Sequence, residues 1–459
     1  MPRGCSKMNN FGASTFLAMQ TYGSRSLFEN DEQLIPQYFI NTDLGKLYQA
    51  IPFDEIASQI PAPKGISTGL GRKNQLTVAG GLALMFLKHY LRMSDEMLID
   101  RLNTDWSMQM FCRINLGTKR IRNKNLVSQW RGYLGEHLEI YPTQEILAKY
   151  WKPYIEETHV GMSDATVYES YIRYPNDVVM LWKSCEIIYE EIKRHCKEHK
   201  IRQPRIRMAN KGQHVLSYQR TRKKSRRRAK HMRKNLTRFL RRLINRFNEL
   251  EVVSIHPYLK TIKEYLYQQE WRIKHPDKKI ENRIVSLHKP YIRPIVRGKE
   301  TKPVEFGAKV NLLQVDGINF IEHLSYDAFN EGTHLKSSIY LHRDLFGSCH
   351  QFGADKIYAT NKNRSYCKKN KIATCFVPKG KPSMEYGEQE KQLRKEIGKQ
   401  RATVLEGSFG NEKNHYLLQK VKAANQANEI IWIFFGIMTC NAVQIAKRIT
   451  GHRKRKSAA

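Results

Sequence analysis

The sequence predicts a mixed α/β fold, and three observations support this class. Leucines recur at helical spacing between Gln75 and Arg113, strand-compatible segments occur at residues 161–169 and 305–323, and helical periodicity returns from about Lys391. At 41% hydrophobic residues the chain carries enough apolar material for sizeable cores. Its 459 residues suggest about three domains, or one domain with a large insertion.

The first 60 residues carry little periodic signal, and a helical domain is predicted over residues 61–150. Ser94 is a typical N-cap followed by two acids, so it separates two packed helices. The apolar side of the first helix holds Leu76, Leu84, Leu87 and Leu91. The apolar side of the second holds Leu98, Ile99, Leu102 and Trp106. The stripes indicate a small helical core that serves dimerisation or DNA-end binding, with a DNA-docking helix-turn-helix as the sharper alternative.

A strand at Gly161–Glu169, in a core segment over residues 151–175, precedes a strongly basic region. Residues 191–248 hold 22 Lys or Arg against two acids, which is more than half of the net charge of +36. We predict a basic helical insertion with a connector over residues 176–303, since four prolines between 276 and 303 exclude a continuous helix there. The densest run, Arg220–Arg242, is either a polyanion-binding surface or a solvated helix face.

The remainder of the core is predicted over residues 304–450, with a basic tail at 451–459. In its first part, two apolar strands flank Asp316-Gly317, a dipeptide that favours a two-residue hairpin turn. Further strands are expected at residues 351–358 and 372–378, and helices follow.

The charge and the apolar pattern exclude several classes of protein. A charge of +36 favours nucleic acid as the partner, with an anionic membrane surface as the rival. The longest apolar run, Ile430–Cys440, is shorter than the roughly 18 residues that a bilayer span needs, so we expect a cytoplasmic protein. The eight cysteines form no CxxC pair, which argues against a zinc ribbon and a disulfide framework.

Three acids are candidates for phosphodiester chemistry. In-line displacement is most simply served by two divalent ions about 4 Å apart, and hard ions require carboxylates from separate elements. Asp164 lies in the first strand, Asp355 ends a later strand, and Glu406 lies on a helix. Lys413 follows Glu406 by seven residues and therefore returns to nearly the same helical face. Asp316, Glu331 and Asp344 are not included as candidates, because each has a simple structural explanation, such as the turn at Asp316.

Four segments together resemble a known family. They are GMSDATVYESYIRYP, KPVEFGAKVNLLQVDGINFIEHLSYDAFNEG, GADKIYATNKNR and RATVLEGSFGNEKNHYLL. In order and character they resemble the DDE transposases of bacterial insertion sequences, in the large family numbered five and its relatives. The resemblance runs from about residue 50 to 450.

The resemblance implies a ribonuclease-H-like core, a five-stranded mixed sheet flanked by helices, with the basic insertion between its first and second strands. By carry-over, Asp164, Asp355 and Glu406 form the catalytic, metal-binding triad for two Mg²⁺ ions, which Mn²⁺ can replace. The implied substrates are double-stranded DNA at the element ends and at the target. Synapsis of two ends implies at least a homodimer on DNA, in the bacterial cytoplasm, nucleoid-associated when bound.

Nine cations are the expected DNA contacts: Lys223, Lys224, Arg226, Arg227, Arg228, Lys356, Arg364, Arg401 and Lys413. The chain departs from the clan pattern of Tyr, two residues, Arg, three residues, Glu, six residues, Lys. Arg401 stands one position too early, and Lys399 occupies the tyrosine position. Two alternatives stay open, a non-catalytic nucleic-acid-binding protein and a nuclease that cuts without joining.

Overall fold

A computed structural model describes residues 20–21, 38–63, 76–296, 303–379 and 387–458. The chain divides into two compact units. The sheet unit comprises the described residues of Met1–Ser170, Ala308–Ser325 and Phe329–Ala459. The helical unit comprises those of Tyr171–Gly307 and Tyr326–Ala328.

The strands are β1 (Gln20–Thr21), β2 (Ile114–Asn115), β3 (Val160–Glu169), β4 (Pro294–Val296), β5 (Val304–Val315), β6 (Ile318–Ser325), β7 (Gln351–Ala354) and β8 (Ala373–Thr374). The helices of the first 151 residues are α1 (Asp43–Gln49), α2 (Phe53–Ser58), α3 (Val78–Leu91), α4 (Asp95–Leu102), α5 (Trp106–Phe111), α6 (Leu126–His137) and α7 (Ile140–Trp151). The helical unit carries α8 (Asp177–Glu198), α9 (Met208–Arg220), α10 (Arg226–Glu249) and α11 (Leu259–Lys274). The C-terminal part adds α12 (Leu335–Phe346), α13 (Asn361–Lys369), α14 (Gly387–Gln400), α15 (Glu406–His415) and α16 (Gln426–Ala458).

The N-terminal helices differ from the sequence prediction at two places. Ser94 caps α4 as expected, since its hydroxyl accepts the Met97 amide at 3.2 Å. Trp106, however, does not lie on the apolar side of that helix: it begins α5 and is 48% exposed. Asp105 causes this break, because its carboxylate caps a new helix by accepting the Ser107 and Met108 amides. Helices α1 and α2 also form within the first 60 residues, where we find little periodic signal.

The main sheet of the sheet unit is mixed. Within this unit the strand order is β6-β5-β3-β7-β8, with β5 and β6 antiparallel and both β3–β7 and β7–β8 parallel. The short strand β4 of the helical unit pairs antiparallel with the first residues of β5, so the sheet has six strands, one more than the predicted five. The predicted hairpin is present, since Val315 pairs with Ile318 across Asp316 and Gly317. Both turn residues have positive φ, 48° and 79°, which explains the preference for Asp-Gly at this turn.

Two later strands are shorter than predicted. β7 stops at Ala354, because the Asp355 carboxylate accepts the Lys356 amide at 2.6 Å and opens a 3₁₀ turn. The strand expected over residues 372–378 is confined to Ala373–Thr374. In a longer strand the backbone of residue 375 would continue the ladder. Here the Cys375 thiol instead makes hydrogen bonds with the Ala354 amide and carbonyl.

The apolar C-terminal run belongs to a longer helix than its eleven residues indicate. By length and composition, Gln426–Gly451 of α16 could cross a membrane, yet 83% of its apolar window is buried inside the protein. It packs against α1, α3, α6 and β6. One such buried helix is weak evidence for a span and is compatible with the core of a soluble protein.

The helical unit is held together by α8 packed on α10, with α9 and α11 beside them. α10 is divided along its length: its buried residues all lie from Leu236 onward, while Arg226, Arg227 and Arg228 are exposed. Ser225 caps the basic end by accepting the Arg228 amide at 3.2 Å. The leucines at the end of the basic run are therefore core residues. Most cations of the run face solvent, but Arg233 is only 18% exposed.

Asp177, at the start of α8, is the centre of an arginine cluster in the helical unit. Its carboxylate lies 2.6 Å from Arg272, 3.2 Å from Arg283 and 4.0 Å from Arg233. Burial raises the pKa of Asp177, but the three arginines outweigh that effect and leave its pKa below the ordinary value. One carboxylate therefore compensates three cations.

Candidate active site

Asp164 lies on β3, and Asp355 directly follows the neighbouring parallel strand β7. The register pairs Ser163 of β3 with Ala354, the last residue of β7, so each aspartate is the next residue after a paired position. Neighbouring strands lie about 4.8 Å apart, and residues at one register position share a face of the sheet. The fold therefore brings together two carboxylates that are 191 positions apart in the sequence.

Glu406 reaches the same place through Arg401. One Arg401 nitrogen, Nη1, lies 3.3 Å from Asp164 Oδ2 and 3.3 Å from Glu406 Oε1. The two carboxylate oxygens can be no farther apart than the sum of those distances. Glu406 is 54% exposed, whereas Asp164 is 17% exposed, so the cluster opens to solvent on the Glu406 side.

A π-helical turn at Arg401–Leu405 explains the unusual position of Arg401. In this turn the Glu406 amide donates to the Arg401 carbonyl, five residues back, instead of four. The turn thus contains one residue more than an α-helical turn, and Arg401 takes the place that an arginine four residues before Glu406 would occupy in a regular helix. The one-residue departure from the clan pattern is absorbed by the backbone.

Asp164 sits in an environment that opposes its charge. Burial raises its pKa to about 6, the nearby carboxylates of Glu331 and Asp355 act in the same direction, and the Ala165 amide and Arg401 oppose them. Glu331, which is not among the candidates predicted from the sequence, lies close enough to Asp164 for its carboxylate to raise the pKa of Asp164, and it lies 2.7 Å from Lys309 Nζ. The sequence around Glu331 does not reveal this proximity, because it depends on the long-range fold.

Lys413 also reaches the first strand. Its Nζ donates to Thr166 Oγ1 at 2.8 Å, and Thr166 lies two residues beyond Asp164 on the same face of β3. The neighbouring Glu412 anchors α15 to the sheet. Its carboxylate is fully buried and accepts hydrogen bonds from the Tyr168 hydroxyl and, at 2.6 Å, from the Asn319 side-chain amide. Burial raises the pKa of Glu412 to about 7. Sequence reasoning missed this anchor.

The turn after Asp355 is fixed by Tyr358. The Tyr358 amide donates to the Asp355 carbonyl at 3.0 Å, and its buried hydroxyl donates to Asn311 Oδ1 at 2.6 Å. The two cations predicted near this turn differ in placement. Lys356 is exposed, whereas Arg364 is partly buried and donates to the Ala359 carbonyl at 3.1 Å.

The remaining predicted DNA contacts lie in the helical unit and are all exposed: Lys223, Lys224, Arg226, Arg227 and Arg228. Two of them are locally held. Lys224 Nζ donates to the Thr221 carbonyl at 2.9 Å, and Arg228 Nη1 donates to Thr221 Oγ1 at 3.1 Å. A run of exposed cations is a surface that a polyanion can neutralise.

Within the part of the chain that the structure describes, no three His, Cys, Asp or Glu side chains are arranged to hold one metal ion. Arg401 instead lies between Asp164 and Glu406 and compensates both charges. The donor set nevertheless suits a hard cation. The carboxylates of Asp355 and Glu331 both act electrostatically on Asp164, and oxygen-only donors are those that Mg²⁺ prefers.

No family model, curated protein or solved structure matches this chain. The arrangement of its residues is therefore the basis of the functional proposal.

Proposed function

We propose that this chain is a DDE transposase of a bacterial insertion sequence, which binds the ends of its element and catalyses strand cleavage and strand transfer on DNA. The observation that carries the proposal is the adjacent placement of Asp164 and Asp355, with Glu406 joined to Asp164 through Arg401. Acids from two strands and a following helix converge in the order that the family resemblance implies.

The sheet order supports a ribonuclease-H-like assignment of the core. If β3 is counted as the first core strand and β4, which pairs only with the start of β5, is left out, the order β6-β5-β3-β7-β8 is third, second, first, fourth, fifth. Asp164 then lies on the first strand, Asp355 directly after the fourth, and Glu406 on a later helix.

In the proposed mechanism, Asp164, Asp355 and Glu406 would hold the divalent ions, and Arg401 would give up at least one of its two carboxylate contacts. When bound, the ions stabilise the attacking and leaving oxygens of an in-line displacement. The same site would serve both steps, because each is an in-line displacement at phosphorus. In cleavage a water oxygen forms the new P–O bond and the 3′-oxygen leaves as the free hydroxyl; in joining that 3′-hydroxyl forms the new P–O bond and a 3′-oxygen of the target strand leaves. Lys413, close to Asp164 along β3, is placed to bind a phosphate and align the strand.

Asp355→Asn tests the proposal. The variant should bind DNA from the flanks of the coding region as the wild type does and should lose Mg²⁺-dependent nicking by a factor on the order of 10³, because one metal-binding carboxylate is gone. Nicking of labelled duplex and joining of precleaved ends provide the two readouts.

Asp344→Asn is the matched control, since Asp344 is an exposed aspartate of α12 outside the cluster. It should retain both activities. Full nicking by Asp355→Asn would remove the catalytic assignment and leave a polyanion-binding protein. Nicking without joining by the wild type would identify a nuclease.

The basic end of α10 yields a separate prediction. Replacing Arg226, Arg227 and Arg228 by Ala should weaken DNA binding and reduce the slope of log affinity against log salt. The expected reduction is up to about 0.9 for each phosphate that the protein no longer neutralises. Fluorescence anisotropy over a salt series measures the slope.

Three exposed lysines of the same unit, Lys260, Lys278 and Lys279, give an alanine control of equal charge. Equal slopes for the two triple variants would return the basic run to the role of a solvated helix face.

A further inference from the structure

The sheet unit contains a cationic cleft beside the carboxylate cluster. The cleft has a volume of about 460 Å³. Five cations line it: Lys88, Arg92, Lys413, Lys420 and Lys422. Asp95 is the one carboxylate among the described residues of its lining.

The negative charge of Asp95 is already compensated inside the protein. Its carboxylate lies 2.7 Å from Lys88 and 3.0 Å from Arg131. Burial raises the pKa of Asp95, but Arg131 and Lys88 outweigh that effect and lower the pKa below its ordinary value. Asp95 therefore offsets little of the positive charge that the exposed Arg92 and Lys422 bring to the lining.

Lys413 belongs both to this cleft and to the neighbourhood of Asp164. It donates to Thr166, two residues along β3 from Asp164, which corresponds to about 7 Å of strand. One DNA strand advances about 3.4 Å along the helix axis per nucleotide. The cleft thus begins within one or two nucleotides of a phosphate bound at Asp164.

The lining favours phosphate over bases. Trp432 is the aromatic ring of the lining, but it is only 5% exposed and already contacts Arg131 and Lys88 through its ring face. It offers no open surface for base stacking, which single-strand binding sites use. Cations without a stacking surface bind the backbone and position it without reading sequence.

We propose that this cleft binds the backbone phosphates of the DNA strand immediately adjoining the scissile phosphate. The assignment rests on the proposed function, since it takes its ligand from it, and it adds a strand-positioning surface formed by the α3–α4 junction and the segment after α15. Arg92 and Lys422 are positioning residues there.

Methylphosphonate interference tests the proposal, with binding measured in EDTA on a duplex from the flanks of the coding region. Neutralising one of the first three linkages beside the nick site should weaken wild-type binding several-fold. In the variant Arg92→Gln/Lys422→Gln the same neutralised linkage should weaken binding little, because the two cations that contact it are gone. The slope of log affinity against log salt should also fall, by up to about 0.9 for each phosphate that the variant no longer neutralises.

Lys46→Gln/Lys149→Gln removes two charges from α1 and α7, outside the cleft lining, and should keep the wild-type interference pattern. Both variants are first checked for unfolding at the wild-type temperature, and single Lys422→Gln replaces the cleft variant if that one unfolds earlier. Identical interference in the cleft variant and the wild type would then overturn the assignment. This failure is distinct from failure of the proposed function, in which the wild type itself would bind without Mg²⁺-dependent nicking.

Discussion

Asp164→Asn is expected to stabilise the metal-free protein while abolishing Mg²⁺-dependent strand cleavage. The ordinary pKa of an aspartate is about 3.9, and burial raises that of Asp164 to about 6. The folded state therefore disfavours the ionised form, and one pKa unit corresponds to about 1.4 kcal/mol. Since the side chain is 17% exposed and Arg401 offsets part of the penalty, an amide should recover about 1–2 kcal/mol at pH 7.

The raised pKa of Asp164 also determines how the effect of Asp164→Asn on stability depends on pH. A carboxylate whose folded pKa is raised costs no stability below its unfolded pKa, and the cost grows between about pH 4 and pH 6 and is complete above. The stabilisation by Asp164→Asn should therefore be present at pH 7 and vanish near pH 4. Denaturant unfolding in EDTA at both pH values measures it, and a nicking assay with Mg²⁺ measures the loss of activity.

Asp316→Asn is the control of opposite sign in the same unit. Asp316 lies 2.8 Å from Arg448 and accepts the Glu156 amide at 3.0 Å, so its replacement should lower stability and retain cleavage. If Asp164→Asn destabilised the protein as Asp316→Asn does, Asp164 would be a structural carboxylate. A group that costs folding energy and is needed for activity is characteristic of a functional site.

The hairpin at Asp316-Gly317 and the meeting of Asp164 with Asp355 show which features local sequence can predict and which it cannot. Asp316-Gly317 was predictable because a two-residue turn with two positive φ angles has a short sequence signature. That Asp164 and Asp355 meet depends on the β3–β7 register, which residues distant in the chain determine. The sequence indicates where β3 and β7 lie but cannot supply their register.

Arg401 illustrates a different limit. A spacing argument treats a helix as regular, so it places an arginine five residues before Glu406 on the wrong face. The π turn changes the period for one turn and restores the contact. The turn lies at the candidate site, and π turns often occur at functional sites.

Asp177→Asn is expected to produce the largest loss of stability in the helical unit. The variant leaves Arg233, Arg272 and Arg283 without the one carboxylate that they share, and the Nε atoms of Arg233 and Arg283 are already buried without a partner. Removing one partner of a fully buried ion pair costs about 3–5 kcal/mol. Arg272 and Arg283 are 29% and 35% exposed, so water offsets part of that penalty and the expected loss is about 2 kcal/mol.

The measurement must report on this unit alone, since a protein of two compact units need not unfold in one step. Hydrogen exchange of the α8 and α10 amides follows the local opening free energy. The pKa of Asp177 is depressed, so its contribution is complete above its unfolded pKa of about 3.9 and is lost as the pH falls through the lower folded value. The difference between wild type and variant should therefore be constant from about pH 5 to pH 8 and shrink below about pH 4.

Asp277→Asn, at an exposed position of the same unit, is the matched control and should leave exchange unchanged. Inorganic phosphate should partly restore protection in Asp177→Asn and have little effect in the control, because an anion can take the place of the lost carboxylate among the three guanidinium groups. If Asp177→Asn left protection from hydrogen exchange unchanged, water would solvate the three arginines well enough without the Asp177 carboxylate. Rescue by phosphate would instead show that the fold of this unit depends on an anion at the start of α8.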